Sequence, residues 1–148
     1  MEWDTDTLKL KNQLCFPIYL CSKEIIKKYT PWLEKLDLTY TQYIVMMYFW
    51  EKGKSNVKEI EKTLLLDSST LTPLLKKLEY KGYISRKRST IDERNLEIVL
   101  TEKGKNLKEQ AKCIPNKMEK CISLTKEEIE TLYKIIYKVL VNVERDDY

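Results

Sequence analysis

Leu66-Asp-Ser-Ser-Thr-Leu-Thr-Pro-Leu-Leu-Lys-Lys-Leu-Glu-Tyr-Lys-Gly82, continuing into Tyr83-Ile-Ser-Arg-Lys-Arg-Ser-Thr-Ile-Asp-Glu-Arg-Asn-Leu-Glu-Ile-Val-Leu-Thr101, is the stretch that decides the fold. Its first half reads as a capped helix. Asp67 or Ser68 can accept hydrogen bonds from the free N–H groups at the helix start. Leu71, Leu74, Leu75 and Leu78 recur at helical spacing, so one face belongs to a core. The opposite face shows Ser69, Thr72 and Lys76, flanked by Thr70 and Lys77. Gly82 stands where a glycine ends a helix. Pro73 removes one backbone donor early in the helix and loosens its first turn.

The second half changes period. Tyr83 to Arg88 and Leu96 to Leu100 have the β-branched and apolar content of strands, and the polar residues between them form a hairpin tip. That tip region carries Arg86, Lys87, Arg88 and Arg94, broken by Asp92 and Glu93. From Lys76 to Arg94 seven Lys or Arg stand against three Asp or Glu, which equals the +4 of the whole chain. The net positive charge is thus assigned to this helix and hairpin. A helix with small hydroxyls and lysines, followed by a basic β-ribbon, suits a major groove and the adjacent phosphate backbone. The candidate DNA contacts read from these residues are Ser68, Ser69, Thr70, Thr72, Lys76, Lys77, Arg86 and Arg94.

Composition bounds the rest. A chain of 148 residues, 43% of them hydrophobic, makes one domain with a buried core, residues 1–148. Only 3 Gly and 4 Pro argue for a mainly helical chain. No apolar run approaches the ~20 residues of a membrane span. The acidic start, Met1-Glu-Trp-Asp-Thr-Asp, shows no signal peptide, so the expected location is cytoplasmic, without a membrane partner. Histidine is absent, which removes His-based acid–base chemistry, Ser-His-Asp triads and His-bearing metal sites. No Gly-rich phosphate loop is present, and the spacing of the cysteines is not that of a zinc or thioredoxin site. We expect no metal, no cofactor and no enzymatic activity.

Upstream, Leu14, Ile18, Cys21, Ile25 and Tyr29 form a helical stripe within residues 7–30. Pro17 either kinks that helix or starts a fresh one, and the second option leaves Cys15 or Phe16 at a positive helix end. Pro31 and Trp32 close the segment. Thr39-Tyr-Thr-Gln42 is a capping box, followed by a helix that is apolar nearly all round and therefore buried on several sides. Asn56-Val-Lys-Glu59 caps a short helix, and the turn through Leu65 and Leu66 delivers the recognition helix. Two helices on a tight turn and then a hairpin make a winged helix-turn-helix over residues 39–101.

Thr101 caps the next helix, which Pro115 bends or ends. Thr125 and Glu128 form a second capping box, and Ile129, Leu132, Ile136, Val139 and Val143 then repeat by threes and fours. The terminal helices, residues 7–30 and 102–145, carry more apolar surface than a small winged domain can cover. They are read as a homodimerisation region. A dimer also places two recognition helices on half-sites about 34–36 Å apart. The fold class is mainly α with a small β-hairpin wing.

These residues carry a resemblance. The chain is similar to the MarR family of winged-helix regulators over nearly its whole length. Asp67 to Glu79, and Asp92-Glu-Arg94 with Leu100-Thr101, match that family's recognition helix and wing. Within the family it resembles the organic hydroperoxide resistance regulator group, through Asn12-Gln-Leu-Cys-Phe16 with Tyr29 and Tyr40. The resemblance implies a homodimeric repressor on a pseudo-palindromic operator of double-stranded DNA. It implies that Arg94 enters the minor groove with support from Asp92. It implies that Cys15 is the peroxidatic thiol, bonded by Tyr29 and Tyr40 of the partner subunit. Organic hydroperoxide is then the signal, and a disulfide releases the DNA.

The four cysteines differ in prospect. Cys21 lies on the apolar stripe and is expected to be a small buried hydrophobe. Cys15 lies off it, beside Lys11, where a thiolate is favoured. Two-cysteine members of the group carry a resolving thiol near the position of Cys121, which ranks Cys121 above Cys113. The alternative is a small-molecule thiol that caps Cys15. Two other functions compete. One is a regulator released by a phenolic or apolar effector held among Trp32, Tyr43 and Trp50. The other is a thiol peroxidase using Cys15, in which the basic wing has no purpose.

Overall fold

The apolar helix after Thr39 is the frame on which the winged motif is built. The computed structural model describes residues 8–88 and 96–145. In chain order it has α1 (Cys15–Leu33), α2 (Tyr40–Lys52), β1 (Lys54–Ser55), α3 (Val57–Leu64) and α4 (Ser68–Tyr80). There follow β2 (Ile84–Arg88), β3 (Leu96–Leu100), α5 (Glu102–Ala111), α6 (Ile114–Ile122) and α7 (Lys126–Arg145). Two compact units are formed, one through Ile114 and one from Pro115.

In the first unit α2 starts with the predicted box: Gln42 N–H donates to Thr39 Oγ1 at 3.3 Å, and Thr39 N–H to Gln42 Oε1 at 3.1 Å. Tyr43, Val45, Met46, Tyr48 and Phe49 of α2 are all buried. The predicted stripe of α4, Leu71, Leu74, Leu75 and Leu78, is buried as well. The helix runs unbroken through Pro73, so the loosening expected there is absent. Burial of four leucines at ~1.5–3 kcal/mol each is ample to hold a turn that lacks one hydrogen bond. Gly82 adopts φ +77° just past the helix end, a conformation that favours glycine, and turns the chain into β2.

The sheet is a three-stranded antiparallel one, in the order β1-β3-β2. The hairpin β2–β3 is the wing that the sequence predicts. The third strand was not visible there. β1 is two residues long, too short for a periodic signal, and is held by pairing Lys54 with Val99 and Ser55 with Ile98. Tyr48 Oη and Ser55 Oγ are 2.7 Å apart, and Ser55 Oγ donates to Glu59 Oε2 at 2.8 Å, which ties this strand to α2 and α3.

The C-terminal end of α1 differs from expectation, and the N-terminal end takes one of the two options that Pro17 left open. The helix continues through Pro31 to Leu33, where a 3-10 turn, Glu34–Leu36, takes over. Leu33, Leu36 and Leu38 are buried, so packing carries the helix past its proline. At the other end α1 starts at Cys15 and not upstream, with Pro17 in its first turn. The missing N–H of a proline is harmless there, because the first N–H groups of a helix have no partner within it. Cys21 is exposed, contrary to the expected buried position. The stripe it belongs to is not covered by its own chain: Leu14 is 62% exposed and Ile18 51%.

In the second unit Pro115 falls in the first turn of α6, and so divides α5 from α6. Thr125 and Glu128 cap α7 reciprocally, at 2.8 and 3.3 Å. The α7 repeat Ile129, Leu132, Ile136, Val139 and Val143 is 37–67% exposed. Among the described residues no helix is long and apolar enough to cross a membrane.

Candidate nucleic-acid interface and thiol site

The recognition helix is built by its cap. Asp67 Oδ1 accepts from Thr70 N–H at 2.8 Å and from the Ser69 hydroxyl. These bonds, the Ser69 hydroxyl first, hold the Asp67 carboxyl below its usual range, so the cap is present at neutral pH and weakens as pH falls through that lowered value. The Ser68 hydroxyl donates to Glu61 Oε1 of α3, joining the two helices of the motif. Ser68, Ser69, Thr70, Thr72, Lys76 and Lys77 are all exposed. Tyr80, at the end of α4, is 94% exposed and continues the line of Thr72 and Lys76 at helical spacing. The sequence reading passed over it; its i+4 relation to Lys76 was the available signal. In the wing, Lys87 and Arg88 are exposed, whereas the Arg86 guanidinium is held by Glu79 at 3.2 Å. Asp92 and Arg94 lie outside the described residues.

A second group of side chains lies where α1, α2 and α5 meet. The rings of Tyr29 and Tyr40 are 4.9 Å apart, and Tyr43 follows at 5.9 Å from Tyr29. Trp50 stands edge-on to Tyr43 at 6.0 Å, and its Nε1 donates to the Gly104 carbonyl at 2.8 Å. Burial pushes the phenols of Tyr29 and Tyr40 up. Tyr43 is pushed up to about 12 by burial first, then by Tyr29, Tyr40 and Cys113. All three phenols therefore keep their protons at neutral pH and remain hydrogen-bond donors. Cys113 acts on Tyr43 electrostatically, and its Sγ donates to the Gln110 carbonyl at 3.7 Å. The sequence placed Tyr43 with Trp32 and Trp50 and Cys113 among the candidate resolving thiols; the structure adds Tyr43 to the pair Tyr29 and Tyr40.

Cys15 is the first residue of α1 and is exposed, as are Cys21, Cys113 and Cys121. The aligned peptide dipoles of α1 place partial positive charge at Cys15. Cys15 and Tyr29 are fourteen residues apart on one helix, roughly 21 Å along its axis. They cannot meet within one chain. A cleft of ≈ 410 Å³ in the first unit is lined by Lys35, Asp37, Tyr83, Lys103 and Asn106 among others, and not by Trp32, Tyr43 or Trp50. Among the described residues no cluster of three or more Cys, Asp or Glu could hold a metal ion.

Comparison with known families decides the class. The family described as "Transcriptional regulator SarA/Rot" matches residues 25–111. This chain belongs to the SarA/Rot-type regulators of the MarR family. The HTH-type transcriptional regulator SarZ of Staphylococcus haemolyticus is 47% identical over 90% of each chain. The organic hydroperoxide resistance transcriptional regulator of Bacillus subtilis is 44% identical over 95% of each. In structure the chain is similar to AbfR of Staphylococcus epidermidis, with a TM-score of 0.77, 31% identity, and 95% and 97% of the two chains covered. AbfR is known reduced and bound to DNA, and also in a disulfide form. The SarA/Rot-type chain described above is a DNA-binding transcriptional regulator of the MarR/SarZ kind.

Proposed function

We propose that this regulator is a homodimeric repressor that senses organic hydroperoxide through Cys15. The observation that carries the reading is the placement of Cys15, exposed at the positive end of α1. An ordinary cysteine thiol is mostly protonated at neutral pH, and its thiolate is the nucleophile. The partial positive charge of the helix end lies beside the sulfur. The protonated phenols of Tyr29 and Tyr40 supply two uncharged donors, and these reach Cys15 only from a second copy of the chain. The exposed apolar stripes of α1 and α7 give that copy its seat, so the dimerisation region lies in the terminal helices and the reader in residues 39–101.

The thiolate attacks one peroxide oxygen, the O–O bond breaks, and the alcohol leaves. Sulfur is oxidised to the sulfenate. Protonated to the sulfenic acid, it condenses with a second thiol to form a disulfide, and water is released. We place that thiol at Cys121, as the resemblance implies. Cys113 is the alternative: after oxidation a covalent dimer should appear on non-reducing gels, and it should vanish in only one of Cys121→Ser and Cys113→Ser. The names and states of the relatives, a hydroperoxide resistance regulator and a protein known in reduced DNA-bound and disulfide forms, support the reading. The deciding experiment measures operator binding before and after one equivalent of an organic hydroperoxide, followed by the mass of the oxidised protein. Release without a mass change at Cys15 would refute the mechanism; release by a phenolic ligand alone would favour the effector reading.

On DNA, the proposed contacts are Ser68, Ser69, Thr70, Thr72, Lys76 and Lys77 of α4 in the major groove, with Arg94 in the minor groove supported by Asp92. Arg94→Ala is expected to cost roughly 1–3 kcal/mol of binding. Lys76→Ala and Lys77→Ala should each flatten the salt dependence of affinity by about one phosphate contact. Unchanged affinity in both Arg94→Ala and the double lysine variant would sink this placement.

A further inference from the structure

Glu79 and Arg86 meet at the joint between α4 and β2. Glu79 Oε2 accepts from Arg86 Nε at 3.2 Å, and Glu79 Oε1 accepts from the Arg86 backbone N–H, also at 3.2 Å. One carboxylate thus binds both the side chain and the main chain of one residue. β2 is an edge strand, paired only with β3. Its outward N–H groups have no strand to bond, and Glu79 takes one of them. An acidic side chain on a helix that approaches phosphates is electrostatically adverse, so its place here needs another reason. The chain between α4 and β2 is only Lys81-Gly82-Tyr83, and Gly82 there holds φ +77°.

We propose that Glu79 and Arg86 form a brace that fixes the direction of the wing relative to the recognition helix. Arg86 is then a positioning residue and not a phosphate contact. Among the described residues, the exposed basic side chains of the wing are Lys87 and Arg88. The turn itself is held by the Tyr83 N–H on the Leu78 carbonyl and the Thr101 hydroxyl on the Gly82 carbonyl, and the brace extends that hold further along β2, to Arg86. Both partners keep about a third of their exposure, 31% for Arg86 and 37% for Glu79. The pair is therefore weak as a source of stability, and its effect lies in orientation: with the wing misdirected, the contacts of α4 and of the wing cannot be made together.

The test uses the full-length protein and a duplex that it selects from a randomised pool, with affinity measured at several salt concentrations. Arg86→Ala should bind roughly three- to tenfold more weakly, within the usual range for residues in one ion-pair network, with the salt slope unchanged. Glu79→Ala should weaken binding by a similar factor, although it removes a negative charge. The double variant should be no weaker than either single one. Glu79→Gln keeps an acceptor for the Arg86 N–H and should recover part of the loss. In hydroxyl-radical footprints the single variants should lose protection where the wing lies and keep it where α4 lies. A salt slope reduced by about one in Arg86→Ala, or tighter or unchanged binding in Glu79→Ala, would overturn the proposal. The sign of the Glu79→Ala effect separates orientation from simple charge, whatever either variant does to thermal stability.

Discussion

A Cys15→Ser protein should hold its operator as tightly as the parent and stay on it after organic hydroperoxide. Cys15 is exposed at the start of α1 and contributes nothing to the core, so a hydroxyl in place of the thiol leaves the fold and the recognition helices unaltered. What it removes is the nucleophile. A serine hydroxyl does not ionise near neutral pH and cannot open the O–O bond. The expected change is therefore complete loss of the response, with full affinity retained. Tyr29→Phe and Tyr40→Phe should give a graded version of the same defect. Each removes one donor from an ionised acceptor, and such bonds contribute about 1.5–3 kcal/mol. Since ~1.4 kcal/mol is a factor of ten in rate, loss of each phenol should slow oxidation by about tenfold or more. Stopped-flow oxidation with an organic hydroperoxide, next to a DNA-release assay, measures both. Release of the Cys15→Ser protein by peroxide would transfer the sensor to Cys113 or Cys121.

What the sequence disclosed here follows from how local each feature is. The Thr39–Gln42 and Thr125–Glu128 boxes close within three residues, and both form as read. The leucine stripe of α4 and the Asp67 cap are equally local, and they place the candidate DNA-facing side chains without a tertiary contact. Pro17 is a middle case. Its residue type admits either a kink or a start, and only the conformation upstream decides for the start. The features that escaped are bonds between distant residues. β1 exists because Ser55 pairs with Ile98. Tyr43 joins the tyrosine group because Tyr29 of α1 packs near it, and Trp50 is fixed by a carbonyl fifty-four residues away. The exposure of Cys21 is of this kind too, since periodicity identifies an apolar face but not whether its own chain or another copy covers it. Arg86 is of the same kind. Its charge and its place in the wing suggest a DNA contact, and the pairing of its guanidinium with Glu79, seven residues away, is seen only in the geometry.

Gly104→Ala is expected to destabilise the protein, against the ordinary tendency of that exchange within a helix. Alanine is normally favoured over glycine in a helix interior by about 1 kcal/mol. Gly104 lies in the first turn of α5, where its amide N–H donates to Thr101 Oγ1 at 3.0 Å and its carbonyl accepts from Trp50 Nε1 at 2.8 Å. A Cβ there would stand 2.2 Å from the Tyr83 carbonyl oxygen and 2.7 Å from Leu100 Cδ1. The leucine can move; the carbonyl cannot do so cheaply. Tyr83 O accepts from the Thr101 N–H at 3.1 Å and the Thr101 hydroxyl at 3.0 Å, so moving it away disturbs the bonds that start α5 and join it to the base of the wing. Overpacking of this sort costs about 1–3 kcal/mol, and a clash against backbone belongs at the upper end. In a chain of this size each kcal/mol lowers the melting temperature by roughly 2–4 °C. Urea denaturation with the slope unchanged, and a lowered Tm, should therefore report a loss, whereas a neutral or stabilised Gly104→Ala protein would mean that α5 does not approach Tyr83 this closely.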